Sequence, residues 1–185
     1  GFKMKICIYG ASKENIDRIY IEKSYEFGAL LAQRGHTMIF GGGATGLMGA
    51  AARGIMDNNG DIIGIAPKYF DRPGILIKDY GSIIYTDTIS ERKNLLIEMA
   101  DAFVVLPGGV GTFDEFFVTL VMKQLGELNK PIALYSINGY YDALEELINK
   151  AKNGGFVSER VKKLYGIFST PDEIFEYIEF KNEQK

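Results

Sequence analysis

Short apolar runs that end in glycine turns constrain this chain more than any other feature. The clearest is Ala102-Phe103-Val104-Val105-Leu106, followed by Pro107-Gly108-Gly109-Val110-Gly111-Thr112-Phe113-Asp114-Glu115. The run has the length of a buried strand, and the residues after the turn carry a helical pattern. Similar runs precede Gly10-Ala11-Ser12 and the Gly41 to Gly46 turn. Apolar runs without strict alternation mark strands covered on both faces. Their alternation with helical segments predicts an α/β chain, a Rossmann-like doubly wound parallel sheet of six or seven strands with helices on both faces. Strands are expected over residues 5–9, 37–40, 61–66, 82–85, 101–106 and 131–135, with a short one at 166–168. Helices are expected from a Ser12 cap to residue 34, from the Gly41 turn to 58, and over 90–100, 112–126 and 140–153. A short helix over 158–164 and one from Pro171 complete the set. Residues 68–80 show no period. Gly28 is expected to bring the first helix close to the sheet.

All 185 residues fit one domain, placed at residues 4–180. Gly1-Phe2-Lys3 reads as a cloning remnant, and residues 181–185 as a frayed tail. A net charge of −3 offers no footprint for nucleic acid. No apolar run has the ~20 residues of a membrane span. The single cysteine, Cys7, excludes an internal disulfide and suits a reducing cytosol. One cysteine and one histidine give no zinc site and no Ser–His–Asp triad. That histidine, His36, follows Gly35 and reads as a loop or cap residue.

Parallel sheets bind ligands beyond the carboxyl ends of their strands. The three glycine turns lie there and should line one crevice. The turn of Gly108, Gly109, Val110, Gly111 and Thr112 leads into a helix, whose free N–H groups and dipole favour an anion such as phosphate. It lacks the lysine of a nucleoside-triphosphate loop. Gly41-x-Gly43-x-x-Gly46 matches the dinucleotide spacing but follows the second strand, and the third ends Ala66-Pro67-Lys68 without a ribose-binding acid. Close approach to a nucleotide's sugar or base, at Gly42 and Gly43, is the better functional reading; tight packing is the bland one.

Glu115 has two readings. With Thr112 it spells a capping box. Beside a phosphate seat, its carboxylate suits work on the sugar that bears the phosphate. Arg92 and Lys93 stand in the first turn of their helix, against the dipole, an arrangement that an anionic substrate would relieve. Ser12, Lys93 and Asp114 complete the candidate substrate contacts, Asp114 being read mainly as structural. Tyr69 and Phe70 could stack on a base or pack in the core.

Ser90-Glu91-Arg92-Lys93, the glycine-to-Glu115 stretch, Gln124-Leu125-Gly126, Lys130-Pro131 and Gly41-Gly42-Gly43-x-x-Gly46-Leu47-Met48-Gly49 together resemble the LOG (Lonely Guy) family of cytokinin riboside 5′-monophosphate phosphoribohydrolases. The resemblance runs from the first strand to about residue 165 and departs from the family at Ile89 and Met122. It implies hydrolysis of the N-glycosidic bond of an adenosine monophosphate, usually N6-modified, with Arg92 and Glu115 catalytic. It also implies a small-molecule nucleoside monophosphate as substrate and a homodimer or larger assembly; no cofactor, no metal and a cytoplasmic enzyme are expected beside it. Two alternatives stay open: an AMP nucleosidase of broad base selectivity, and a non-catalytic carrier of a nucleotide or of molybdenum cofactor. The family's older label, lysine decarboxylase, would need a Schiff-base lysine in surroundings that no lysine here has.

Overall fold

The computed structural model describes residues 3–183. Seven strands form one parallel sheet: β1 (Lys5–Tyr9), β2 (Thr37–Phe40), β3 (Asp61–Pro67), β4 (Ser82–Thr86), β5 (Ala102–Val105), β6 (Ile132–Tyr135) and β7 (Gly166–Phe168). Their spatial order is β4-β3-β2-β1-β5-β6-β7. The chain thus winds outward from β1 to β4, then jumps back to the other side of β1. Such a reversal opens a crevice between the loops that follow β1 and β5.

Six helices cover the sheet: α1 (Arg18–Gln33), α2 (Gly46–Asp57), α3 (Ile89–Met99), α4 (Val110–Gln124), α5 (Asp142–Asn153) and α6 (Pro171–Glu183). The strand period of two sorts each strand between two cores. Ile6 and Ile8 of β1 pack with α1, α2 and α6, beside Val104 of β5. Cys7 and Tyr9 pack with α3, α4 and α5, beside Phe103 and Val105. Both faces are therefore apolar, as the uninterrupted strand runs require. No helix among the described residues is long and apolar enough to cross a membrane. The outer side of α4 leaves Phe117 and Val121 exposed, as is Leu125 at its C-cap.

Several local expectations are corrected. Ser12 does not cap α1, which begins at Arg18 after Asp17. Residues 11–17 stay irregular because the Ala11 backbone is engaged across the crevice on both sides of its Cα: its N–H donates to the Pro107 carbonyl (3.0 Å), and its carbonyl accepts from Leu47 N–H (2.8 Å). A helix starting at Ser12 would pull that backbone away. Gly28 meets α2 rather than the sheet, since a Cβ there would lie 2.0 Å from the Ala51 carbonyl oxygen. His36 lies in the connection from α1 to β2, as expected, where its N–H closes the helix end on the Leu31 carbonyl (3.2 Å), but it is buried there. Its Nδ1 accepts from Met4 N–H (3.1 Å) and its Nε2 meets Glu179 of α6 (2.9 Å), so it joins β1 to the last helix. The expected fraying at Lys181 is overturned: α6 runs to Glu183, with the Lys181 ammonium over the Tyr177 ring. Gly1, Phe2, Gln184 and Lys185 lie outside the described residues.

The α1–α2 contact depends on Gly28. Gly28→Ala gains helix propensity but forces the backbones apart, for an expected net loss of about 1–3 kcal/mol in urea unfolding. An unchanged or raised midpoint would mean that the helices are not so closely packed.

Candidate active site

The crevice is a cleft of about 890 Å³. Its walls come from the loop after β1, the turn after β2, residues of the 68–80 segment, α3, the turn after β5, and the loop after β6. Among the residues expected from sequence, Ser12, Gly43, Arg92, Gly108, Gly109, Val110, Gly111, Thr112 and Glu115 line it together. Gly42, Lys93 and Asp114 do not.

Gly42 takes φ +80° and its carbonyl accepts from Ile77 N–H (2.9 Å), so its use is conformational. Lys93 and Asp114 form an ion pair of 3.0 Å that ties α3 to α4. That pair accounts for Lys93's place near the dipole without any ligand. Tyr69 stands outside the cleft lining, edge-on to Phe70, which does line it.

The turn after β5 differs from the capping-box reading. Helix α4 starts at Val110 behind Gly109, and no side chain caps it. Thr112 is the third helical residue and buried, so it cannot serve as the cap for Glu115. The first helical bond is Phe113 N–H to the Gly109 carbonyl (3.0 Å). Among the described residues, the N–H groups of Gly109, Val110, Gly111 and Thr112 have no acceptor. Four unpaired donors and the positive end of a helix face one cleft, which is the electrostatic requirement for an anion seat.

The glycines of this turn divide in two. A Cβ on Gly108 would lie 2.1 Å from Thr112 Oγ1, so packing demands glycine there. Gly109 and Gly111 would meet nothing within 4 Å, and neither has a positive φ. Nothing within the chain requires them to lack a side chain; an approaching ligand would.

Arg92 is the fourth residue of α3, whose start is capped by Thr88 accepting from Glu91 N–H (3.1 Å). Its Nε donates to the Ile65 carbonyl at the end of β3 (3.0 Å). The guanidinium then crosses over Gly41, where a Cβ would lie 1.9 Å from Nη2. Gly41 thus makes room for Arg92, a role that the spacing of the glycine motif did not disclose.

Glu115 sits one and a half turns into α4, half-buried in the cleft wall. Among the described residues no hydrogen bond or ion pair engages its carboxylate. Burial raises its pKa to about 7, against the pull of Arg92 and then Lys93, while Asp114 adds to the rise. A carboxyl that exchanges its proton near neutrality, facing an arginine and an anion seat, is equipped for acid–base or charge-stabilising work.

Sequence reasoning missed part of the cleft. Phe70, Ile75 and Leu76 close one side, because the 68–80 segment pairs back on the glycine turn through Ala44 N–H to the Ile75 carbonyl (3.0 Å) and a Gly43–Leu76 bridge. Lys13 stands exposed at the rim, the one lysine in the lining among the described residues, and offers no buried amine for Schiff-base chemistry. Tyr140 lines the cleft and donates its hydroxyl to the Gly108 carbonyl, while Tyr20 meets it edge-on at 5.9 Å. Its position after β6 was a usable signal, since that loop also lies at a strand carboxyl end.

Alanine at Gly109 or Gly111 is expected to leave the melting temperature within about 2 °C, as no atom blocks it. Gly108→Ala should lower it by several times as much. Equal losses at all three positions in thermal melts would return the turn to a packing role.

Comparison with known proteins bears on this geometry. Residues 48–178 match a family model described as "Possible lysine decarboxylase". The cytokinin riboside 5′-monophosphate phosphoribohydrolase LOG2 of Arabidopsis thaliana is 33% identical over 168 residues, covering 91% of this chain and 78% of that one. The phosphoribohydrolase LOG of Oryza sativa subsp. japonica is 32% identical over 167 residues, covering 90% and 68%. Among solved structures, the Moco carrier protein of Chlamydomonas reinhardtii superposes with a TM-score of 0.74 at 21% identity, over 100% of both chains. The molybdenum cofactor binding protein of Rippkaea orientalis gives 0.73 at 23%, over 97% of each. Those two likenesses are of fold. By the family model and by sequence identity over most of its length, the chain belongs to the LOG phosphoribohydrolase family.

Proposed function

We propose that the protein hydrolyses the N-glycosidic bond of N6-modified adenosine 5′-monophosphates, releasing free base and ribose 5-phosphate. The observation that carries this reading is Glu115: an unpaired carboxyl with a pKa near 7, in one cleft with Arg92 and four free N–H donors.

The 5′-phosphate docks on the N–H groups of residues 109–112, with Lys13 at the rim as an added cation. The ribose then spans toward Glu115 and Arg92. As the C–N bond lengthens, positive charge grows on the ribose ring. Glu115, ionised, stabilises that charge and accepts a proton from the attacking water. The water oxygen joins the anomeric carbon, the bonding pair leaves with the base, and the proton ends on the base. Arg92 holds the substrate and counters negative charge on the departing group. Ile16, Met48, Phe70, Ile75 and Leu76 give the cleft an apolar side that suits a base with an alkyl substituent. Pairing of two copies across the exposed α4 face belongs to the same proposal, and the mass in solution tests it.

A carrier on this fold would need the anion seat but has no use for an unpaired acid beside it. Base release from N6-isopentenyl-AMP and from AMP separates the readings. The wild type should release isopentenyladenine faster than adenine, and Glu115→Gln should lose about 10²–10³-fold in kcat. Because the ionised form acts and its pKa is raised, kcat/KM should climb with pH through a limb near 7, and residual Glu115→Gln activity should lack that limb. No base release, or a variant as fast as wild type, would overturn the assignment.

A further inference from the structure

Glu115 is shared by two cavities. Besides the cleft it borders a small pocket of about 10 Å³, whose other walls include Tyr9, Lys93, Leu96, Val118 and Thr119. Two hydroxyls meet there, with the Cys7 thiol beside Tyr9, against a core that includes Phe103, Phe116 and Leu120. Thr119 is fully buried and Tyr9 is 4% exposed. Phenylalanine and valine would fill the same space without polar groups to satisfy.

The direction of the hydrogen bonds follows from counting protons. Thr119 Oγ1 donates to the Glu115 backbone carbonyl at 2.7 Å. A hydroxyl has one proton to give. The 3.2 Å contact between Tyr9 and Thr119 must therefore run from the Tyr9 phenol to Thr119 Oγ1. The result is a directed chain from β1, through Thr119, to the peptide that carries Glu115. Burial holds the Tyr9 phenol in its protonated, donating form. A side chain that bonds back to the carbonyl four residues earlier bends a helix locally. Here it links that local geometry to β1. The same strand leads into Ala11, which holds Pro107 and the anion seat.

We propose that Tyr9 and Thr119 are positioning residues for Glu115: their hydrogen-bond chain sets the carboxylate's place relative to the phosphate-binding turn. The proposal rests on the hydrolase reading above. It extends that reading to two residues that touch no substrate.

The test compares Tyr9→Phe, Thr119→Val and Thr119→Ser in base release from N6-isopentenyl-AMP, with thermal melts alongside. Tyr9→Phe, which removes one hydrogen bond, should lower kcat about five- to tenfold, and Thr119→Val, which removes both, by at least as much. KM should stay within about twofold and melting within a few degrees. The double variant should be no slower than the slower single one, since either change breaks the chain. Thr119→Ser keeps the hydroxyl and should restore kcat to within about threefold of wild type. The acid limb of kcat/KM should shift in Tyr9→Phe and Thr119→Val but not in Thr119→Ser. Wild-type kcat in the first two variants would overturn the proposal while leaving the hydrolase reading intact. So would losses that follow melting temperature and are not rescued by serine. An inactive wild type would instead remove the hydrolase reading itself.

Discussion

The backbone of one residue, Ala11, organises this site. The N–H of Ala11 is bound to the turn after β5 and its carbonyl to the start of α2. Three turns that are distant in sequence are thereby held around a single residue. Glycine makes the meeting possible: a Cβ on Gly46 would lie 2.3 Å from the Ala11 carbonyl oxygen. Gly46 also takes φ +69°, which few other residues adopt. The winding of the sheet opens the crevice, but these two hydrogen bonds set its width. Without them the anion seat and the Gly41 turn would be separate loops.

On that frame two opposite charges are held apart. Arg92 is fixed by the Ile65 carbonyl and by the space over Gly41. Glu115 is held by its helix, and its carboxylate makes no ion pair with Arg92. Had the two paired, the carboxyl would be pushed down into the ordinary acidic range. Held apart and half-buried, it titrates near neutrality. The Moco carrier proteins share the fold at 21–23% identity, which says nothing of their chemistry here. Function lies in the side chains placed on the frame.

Much of the frame was legible because its signals are local. Each buried strand is an apolar run and each crossover a helical pattern, so the parallel sheet follows from period alone. The turn that carries the unpaired N–H groups was legible because Gly109 and Gly111 lie next to the strand that precedes it. What stayed hidden depends on contacts remote in sequence. The 68–80 segment has no period of its own; its order comes from Gly42, Gly43 and Ala44, some thirty residues earlier. Ser12 had the chemistry of a cap, but its neighbour was committed elsewhere. Thr112 and Glu115 had the spacing of a capping box, yet α4 began two residues sooner, behind Gly109. Lys93 was read toward a ligand, although its partner is Asp114, which was read mainly as structural.

The central claim is spatial: one cleft holds a phosphate on main-chain N–H groups while Glu115 and Arg92 address the sugar. A crystal structure of the Glu115→Gln protein soaked with N6-isopentenyl-AMP tests it most directly. The account places the phosphorus within hydrogen-bonding reach of the N–H groups of residues 109–112, and the anomeric carbon between residues 92 and 115. A phosphate seated on the Gly41 to Gly46 turn, with the ribose turned away from both side chains, would contradict it.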